Sequence, residues 1–124
     1  SSLLQQVANR ARLMELLAQH IPSIHHNISD QAFMAGMLSL ADAVMQMPLD
    51  EVLKQIGVTD NLQEAVLLKQ GELGQLLQLA ELVEKGEFAA ADPLIHALGL
   101  SVNDFTAIQL QAMQWTNDIG KEIA

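Results

Sequence analysis

The chain has 124 residues, half of them hydrophobic, with only Phe33, Phe88, Phe105 and Trp115 aromatic, no cysteine, and a formal charge of -9 from 15 acidic and 6 basic residues. That length suits one domain around one core, and Arg10, Arg12, Lys54, Lys69, Lys85 and Lys121 stand singly rather than in the basic stripe that nucleic acids or anionic membranes require. Without cysteine there is no disulfide framework, thiolate nucleophile or cysteine-based zinc site.

The apolar mass is Leu, Ala, Met, Val and Ile, which with Gln favours helices over strands. The fold class expected is all-α, an irregular bundle of about seven short helices forming one domain over residues 1–124. The first helix, about Ser2 to His20, carries Leu4, Val7, Ala11, Met14, Ala18 and Ile21 on one face, and Pro22 ends it. Pro22 to Ile28 is expected to be a loop, and Ser29 and Asp30 offer N-caps for a second helix, about Asp30 to Met45. That helix is apolar almost all round (Phe33, Met34, Met37, Leu38, Leu40, Ala41, Val44, Met45), so a central, buried position is expected. Its small residues Ala35, Gly36, Ser39 and Ala43 would let a neighbouring helix come close.

Pro48 opens a third helix with Leu49, Val52, Leu53 and Ile56 inward, closed by Gly57. Asp60 with Gln63 forms a capping-box pattern for a fourth, to about Lys69. After Gly71 comes a fifth, striped by Leu73, Leu76, Leu77, Ala80 and Val83 and C-capped at Gly86. Glu87 to Leu98 is a weaker helical pattern that Pro93 is expected to kink or split, ending at Gly99. Ser101 and Asp104 open the last helix, with Phe105, Ile108, Ala112, Trp115 and Ile119 inward.

The start lacks the basic region and apolar run of a signal peptide. The longest apolar stretch, Ala32 to Met47, contains Asp42 and Gln46 and falls short of the roughly 20 residues a membrane span needs. A soluble, cytoplasmic chain is expected. Its opening without methionine, directly in helical sequence, suggests a piece of something longer.

Chemistry-bearing residues are sparse. His25 and His26, with Asp30 nearby, offer imidazole and carboxylate ligands for a divalent metal, but adjacent residues face one ion only if the loop wraps it. Solvated loop histidines are the plainer reading, and His96 is expected to be a partly buried structural residue. No His-Asp dipeptide, HExxH helix or GxSxG turn occurs. Glu81 and Glu84 share a helix face, where paired carboxylates do acid-base work only if burial or a partner splits their affinities for protons, so exposed surface charge is expected. The QGELGQ run, Gln70 to Gln75, is too short for a phosphate loop and is expected to be a turn between helices. Met34, Met37, Met45 and Met47 cluster on and after the second helix, either as core filling or as an adaptable binding surface, the former expected. No catalytic residue, metal site or cofactor is assigned.

Three strings are more specific: RARLMELLA (Arg10 to Ala18), DQAFMAGMLSLADAVMQMPLDEVL (Asp30 to Leu53) and GELGQLLQLAELVEKGEFAA (Gly71 to Ala90). Together they resemble the C-terminal part of an HDOD domain, the HD-related output domain of bacterial signalling proteins, particularly those pairing it with an EAL cyclic-di-GMP phosphodiesterase domain. The order and spacing of Phe33, Gly36, Leu40, Asp42, Met47, Pro48 and Leu49 is the most distinctive part, with support from Gly74, Leu77, Glu84, Gly86 and Trp115. The resemblance spans nearly the whole chain but only about half of such a domain. It implies an all-α fold, a regulatory rather than catalytic role, and an upstream EAL domain or other proteins as partners; it transfers no site residue.

Helices missing from such a domain would leave apolar faces bare, and bare faces recruit partners. Self-association, or repacking of the first helix, is therefore expected, with Leu3, Leu4, Val7, Phe33, Met37 and Leu40 as candidate interface residues. Three functions compete: a signalling interaction module, a degenerate metal-dependent phosphohydrolase using His25, His26 and Asp30, and a helical-repeat scaffold of stacked helix pairs.

Overall fold

The computed structural model describes residues 2–22 and 28–123. Within them the chain forms eight helices and no strand: α1 (Leu3–His20), α2 (Ser29–Leu38), α3 (Ala41–Met45), α4 (Leu49–Ile56), α5 (Asp60–Leu68), α6 (Gly71–Glu84), α7 (Phe88–Ala97) and α8 (Val102–Ile123). The fold is all-α and irregular. Helix lengths run from 5 residues in α3 to 22 in α8 without the regular pairing of a repeat scaffold.

The seven expected helices are present, and the second is divided into α2 and α3. At the division the Ser39 hydroxyl donates to the Gly36 carbonyl oxygen at 2.7 Å and accepts from Arg10 Nη1 at 2.9 Å, which turns the backbone out of the ladder. Leu40 follows at φ -113° and ψ 9°.

The central helix is α1, not the apolar second helix. Arg10, Ala11, Leu13, Met14, Leu16, Leu17 and Ala18 are buried on several sides of α1, against α2, α8 and α6. The inward side of α2 is made of small residues, Ala32, Ala35 and Gly36, together with Leu38, while Met34 and Met37 are exposed. A Cβ on Gly36 would lie 2.8 Å from Ala11 Cα, so the two backbones meet in near contact. The expectation from small residues holds at this point; that of a fully buried second helix does not, because close approach on one side leaves the larger side chains outside.

Local chemistry sets the other ends. A capping box opens α1: the Ser2 hydroxyl accepts from the Gln5 N–H and the Gln5 amide oxygen accepts from the Ser2 N–H, both at 3.1 Å. At α2 the cap position is Ile28, with Ser29 and Asp30 already in the first turn, where a carboxylate suits the helix dipole. The cap of α5 is Thr59 rather than Asp60; its hydroxyl accepts from the Leu62 N–H at 3.4 Å. Gly57, Gly86 and Gly99 end their helices at φ between 74° and 78°, where a side chain would be strained. Pro93 does not split α7, which runs unbroken from Phe88 to Ala97 with the proline on its exposed side.

The inward residues of α6 and α8 are as expected: Leu73, Leu76, Leu77, Ala80, Phe105, Ile108 and Ala112 are buried, with Trp115 half-buried. Among the described residues no helix is long and apolar enough to cross a membrane.

Candidate interaction surface

Two polar features and one apolar feature stand apart from ordinary core packing. The first is a buried cation. Arg10 is 5% exposed, yet its guanidinium is fully engaged. Its Nε donates to Glu84 Oε2 at 2.7 Å and its Nη2 to Glu84 Oε1 at 2.6 Å, a bidentate fork, while Nη1 bonds Ser39 and lies 3.6 Å from Glu81 Oε2. Lys69 Nζ approaches the other Glu81 oxygen at 3.2 Å. Glu84 is exposed, as expected, and Glu81 half-buried, but both carboxylates are ion-paired rather than merely solvated. Their task is structural: they neutralise a cation at the junction of α1, α2 and α6. A partner 74 residues away leaves no trace in the local pattern.

The second is an aromatic contact between α2 and α8. Phe33 meets Trp115 edge to face, with ring centroids 6.1 Å apart and planes at 88°. Arg12 covers the indole, its Cζ 5.6 Å from the ring centre, and pairs with Glu15 at 2.6 Å.

The third is a groove of about 220 Å³ between α2, α3 and α4, lined by Met37, Leu38, Ala41, Val44, Met45, Val52, Gln55 and Ile56. Met45 is 56% exposed and Ile56 57%, with Met37 at 38% and Val44 at 44%. Met34 is also exposed, on the same helix as Met37. Core filling is thus corrected for Met34, Met37 and Met45, and the expected inward position is corrected for Ile56. With Val52 and Leu53 already turned to the core from a short helix, Ile56 is left on the groove side.

The candidate interface residues do not form one face of this groove. Met37 lines it. Leu3 and Leu4 are exposed in the first turn of α1, Val7 is half-buried, Leu40 is half-buried at the α2–α3 junction, and Phe33 is committed to Trp115. Sequence reasoning missed Val44 and Ile56 as exposed members and favoured core filling over a binding surface for Met45, although the methionine cluster was the available signal.

The proposed metal-binding histidines His25 and His26 lie outside the described residues; Asp30 is exposed in α2. Among the described residues no three His, Asp or Glu side chains converge in a way that would hold a metal ion. His96 is exposed rather than partly buried, because Ile95 takes the inward position of α7; its Nδ1 lies 3.0 Å from the Asp92 carbonyl oxygen. The His20 Nδ1 lies 2.8 Å from the Leu16 carbonyl oxygen at the end of α1. The turn expected over Gln70 to Gln75 is confined to Lys69 and Gln70: Gly71, at φ 75°, already opens α6, and Gly74 within that helix packs on the Lys69 backbone.

The chain is similar to the cyclic di-GMP phosphodiesterase CdgJ of Vibrio cholerae, with 30% identity over 114 residues, which is 92% of this chain and 26% of that protein. It is also similar to the uncharacterized protein YuxH of Bacillus subtilis, with 24% identity over 110 residues, 89% of this chain and 26% of that protein. The chain thus spans about a quarter of the length of each relative. No family model matches it, and no solved structure does.

Proposed function

We propose that this chain is a non-catalytic regulatory and protein-interaction module of a bacterial, cytoplasmic cyclic-di-GMP signalling protein, of the HDOD kind that accompanies EAL phosphodiesterase domains. The observation carrying this reading is the open apolar groove of α2, α3 and α4, a surface made for a partner rather than for a reaction. Similarity to CdgJ along 92% of the chain supplies the signalling context. The polar side chains with the best hydrogen-bonding geometry, Arg10, Ser39 and Glu84, are spent on holding helices together.

The test is to incubate the purified chain with cyclic di-GMP and Mg²⁺ or Mn²⁺, assay for the linear dinucleotide, and measure bound metal by elemental analysis. The expected result is no turnover and no stoichiometric metal. In a second arm the chain is added to a cyclic-di-GMP phosphodiesterase of the CdgJ type, and at least a twofold change in hydrolysis rate is expected. Turnover by the chain alone, or an unchanged rate in the second arm, overturns the reading.

A further inference from the structure

We propose that the methionine-rich groove between α2, α3 and α4 receives an amphipathic helix of another polypeptide whose polar side is rich in lysine and arginine. This rests on the interaction-module reading and adds the occupant. The shape comes first. Met37, Val44, Met45 and Ile56 present a continuous apolar lining that is more than one-third open to solvent at each residue. Thioether side chains are unbranched and polarisable, so they mould to the ridges of an incoming helix. Strand addition is not available, because no sheet edge exists among the described residues.

Charge selects among helices. The segment from α2 to α5, residues 29–68, carries Asp30, Asp42, Asp50, Glu51, Asp60 and Glu64 against the single Lys54. Asp42 lies three residues before Met45 and Glu51 four before Gln55, so each carboxylate is one helical turn from a residue that lines the groove, on its flank. Among the described residues, none of these six carboxylates is paired with a lysine or arginine. An apolar trough flanked by the unpaired carboxylates of Asp42 and Glu51, in a segment of net negative charge, attracts a cationic helix and repels an anionic one. A second copy of this chain carries the same overall charge of -9, and its α2–α5 segment the same excess of carboxylates, which disfavours self-association through this face.

The probe is a synthetic 18-residue peptide with leucine at helical spacing on one face and lysine on the other, beside a version with glutamate for lysine. Each is titrated into the full chain by fluorescence anisotropy and by methyl NMR of the methionines. The lysine peptide is expected to bind one-to-one, at least tenfold more tightly than the glutamate peptide, and to weaken as salt rises. The methyl signals of Met34, Met37 and Met45 should shift while those of buried Met14 and of Met113 on α8 stay. Met45→Gln and Ile56→Gln, both at side chains more than half exposed, should weaken binding at least fivefold with an unchanged thermal midpoint. Leu110→Gln, on exposed α8 surface, should leave affinity as it was.

Equal binding of both peptides, indifference to Met45→Gln and Ile56→Gln, shifts centred on Met113, no saturable binding, or a light-scattering dimer that those two variants dissolve would each overturn the proposal. Failure here with the phosphodiesterase response intact rejects this occupant alone. Turnover of cyclic di-GMP by the chain rejects the module reading whatever the peptides do.

Discussion

Arg10 on α1 and Glu84 on α6 form a two-pronged ion pair, at 2.7 and 2.6 Å, across a junction that hides the guanidinium from water. Such a pair is worth little more than a well-packed apolar substitute, but breaking one half leaves an uncompensated charge. Glu84→Ala should therefore destabilise the fold by about 3 kcal/mol in urea denaturation at pH 7. The double variant Arg10→Met, Glu84→Met should recover most of that loss. A double variant no better than Glu84→Ala would mean that the guanidinium is also needed where it touches Ser39.

Gly36 and Gly120 make a matched pair of tests, since both are helical and both would gain helix propensity as alanine. At Gly36 the added methyl meets the Ala11 backbone at 2.8 Å, which cannot move without separating α1 from α2. Gly36→Ala should cost about 2 kcal/mol despite the propensity gain. At Gly120 the nearest atom is Nε2 at the end of the Gln5 side chain rather than backbone, at 3.2 Å. Gly120→Ala should stabilise by about 0.5 kcal/mol. Thermal unfolding of the two variants gives opposite signs if the α1–α2 contact is as close as described.

Trp115 is the single tryptophan, and tyrosine is absent, so its emission reports one place. Phe33→Leu and Arg12→Gln should each shift that emission to the red by admitting water, and each should cost about 1 kcal/mol. An unchanged spectrum in both would place the indole elsewhere than between α2 and α8.

The helix caps differ in length and should differ in worth. The Ser101 hydroxyl accepts from the Asp104 N–H at 3.0 Å, whereas Thr59 accepts from Leu62 at 3.4 Å. Ser101→Ala is expected to cost about 1 kcal/mol and Thr59→Ala about half of that, measured by chemical denaturation.

Helix ends marked by Pro22, Gly57, Gly86 and Gly99 were legible because each residue acts on its own backbone within a turn. The inward stripes of α6 and α8 were legible for the same local reason, a strong repeat at helical spacing. The second helix was misjudged because a segment apolar on every side has no periodic signal to say which side turns in. Gly36 and Ala35 decide that question by permitting contact with Ala11, and the methionines are left outside as a result. The Arg10–Glu84 pair was illegible because only the folded chain brings those helices together.

The candidate surface was legible at Met37 and, through the less favoured reading of the methionine cluster, at Met45. Beyond Met37, its exposed members, Val44 and Met45 of α3 and Ile56 of α4, come from two stretches whose meeting with α2 depends on the turn at Ser39 and the path of the chain after Pro48.

The position of α1 has a bearing on how the polypeptide is made. Its buried residues are covered by α6 and α8 as well as by the adjacent α2, and Asn9 meets Thr116, 107 residues later, at 3.4 Å. During synthesis the first helix leaves the ribosome long before its last neighbour exists. Until then α2, its neighbour in sequence, is the first element able to cover its apolar flank. Closure of this core waits on α8, and shortening that 22-residue helix would leave the flank of α1 that it covers bare and prone to aggregation.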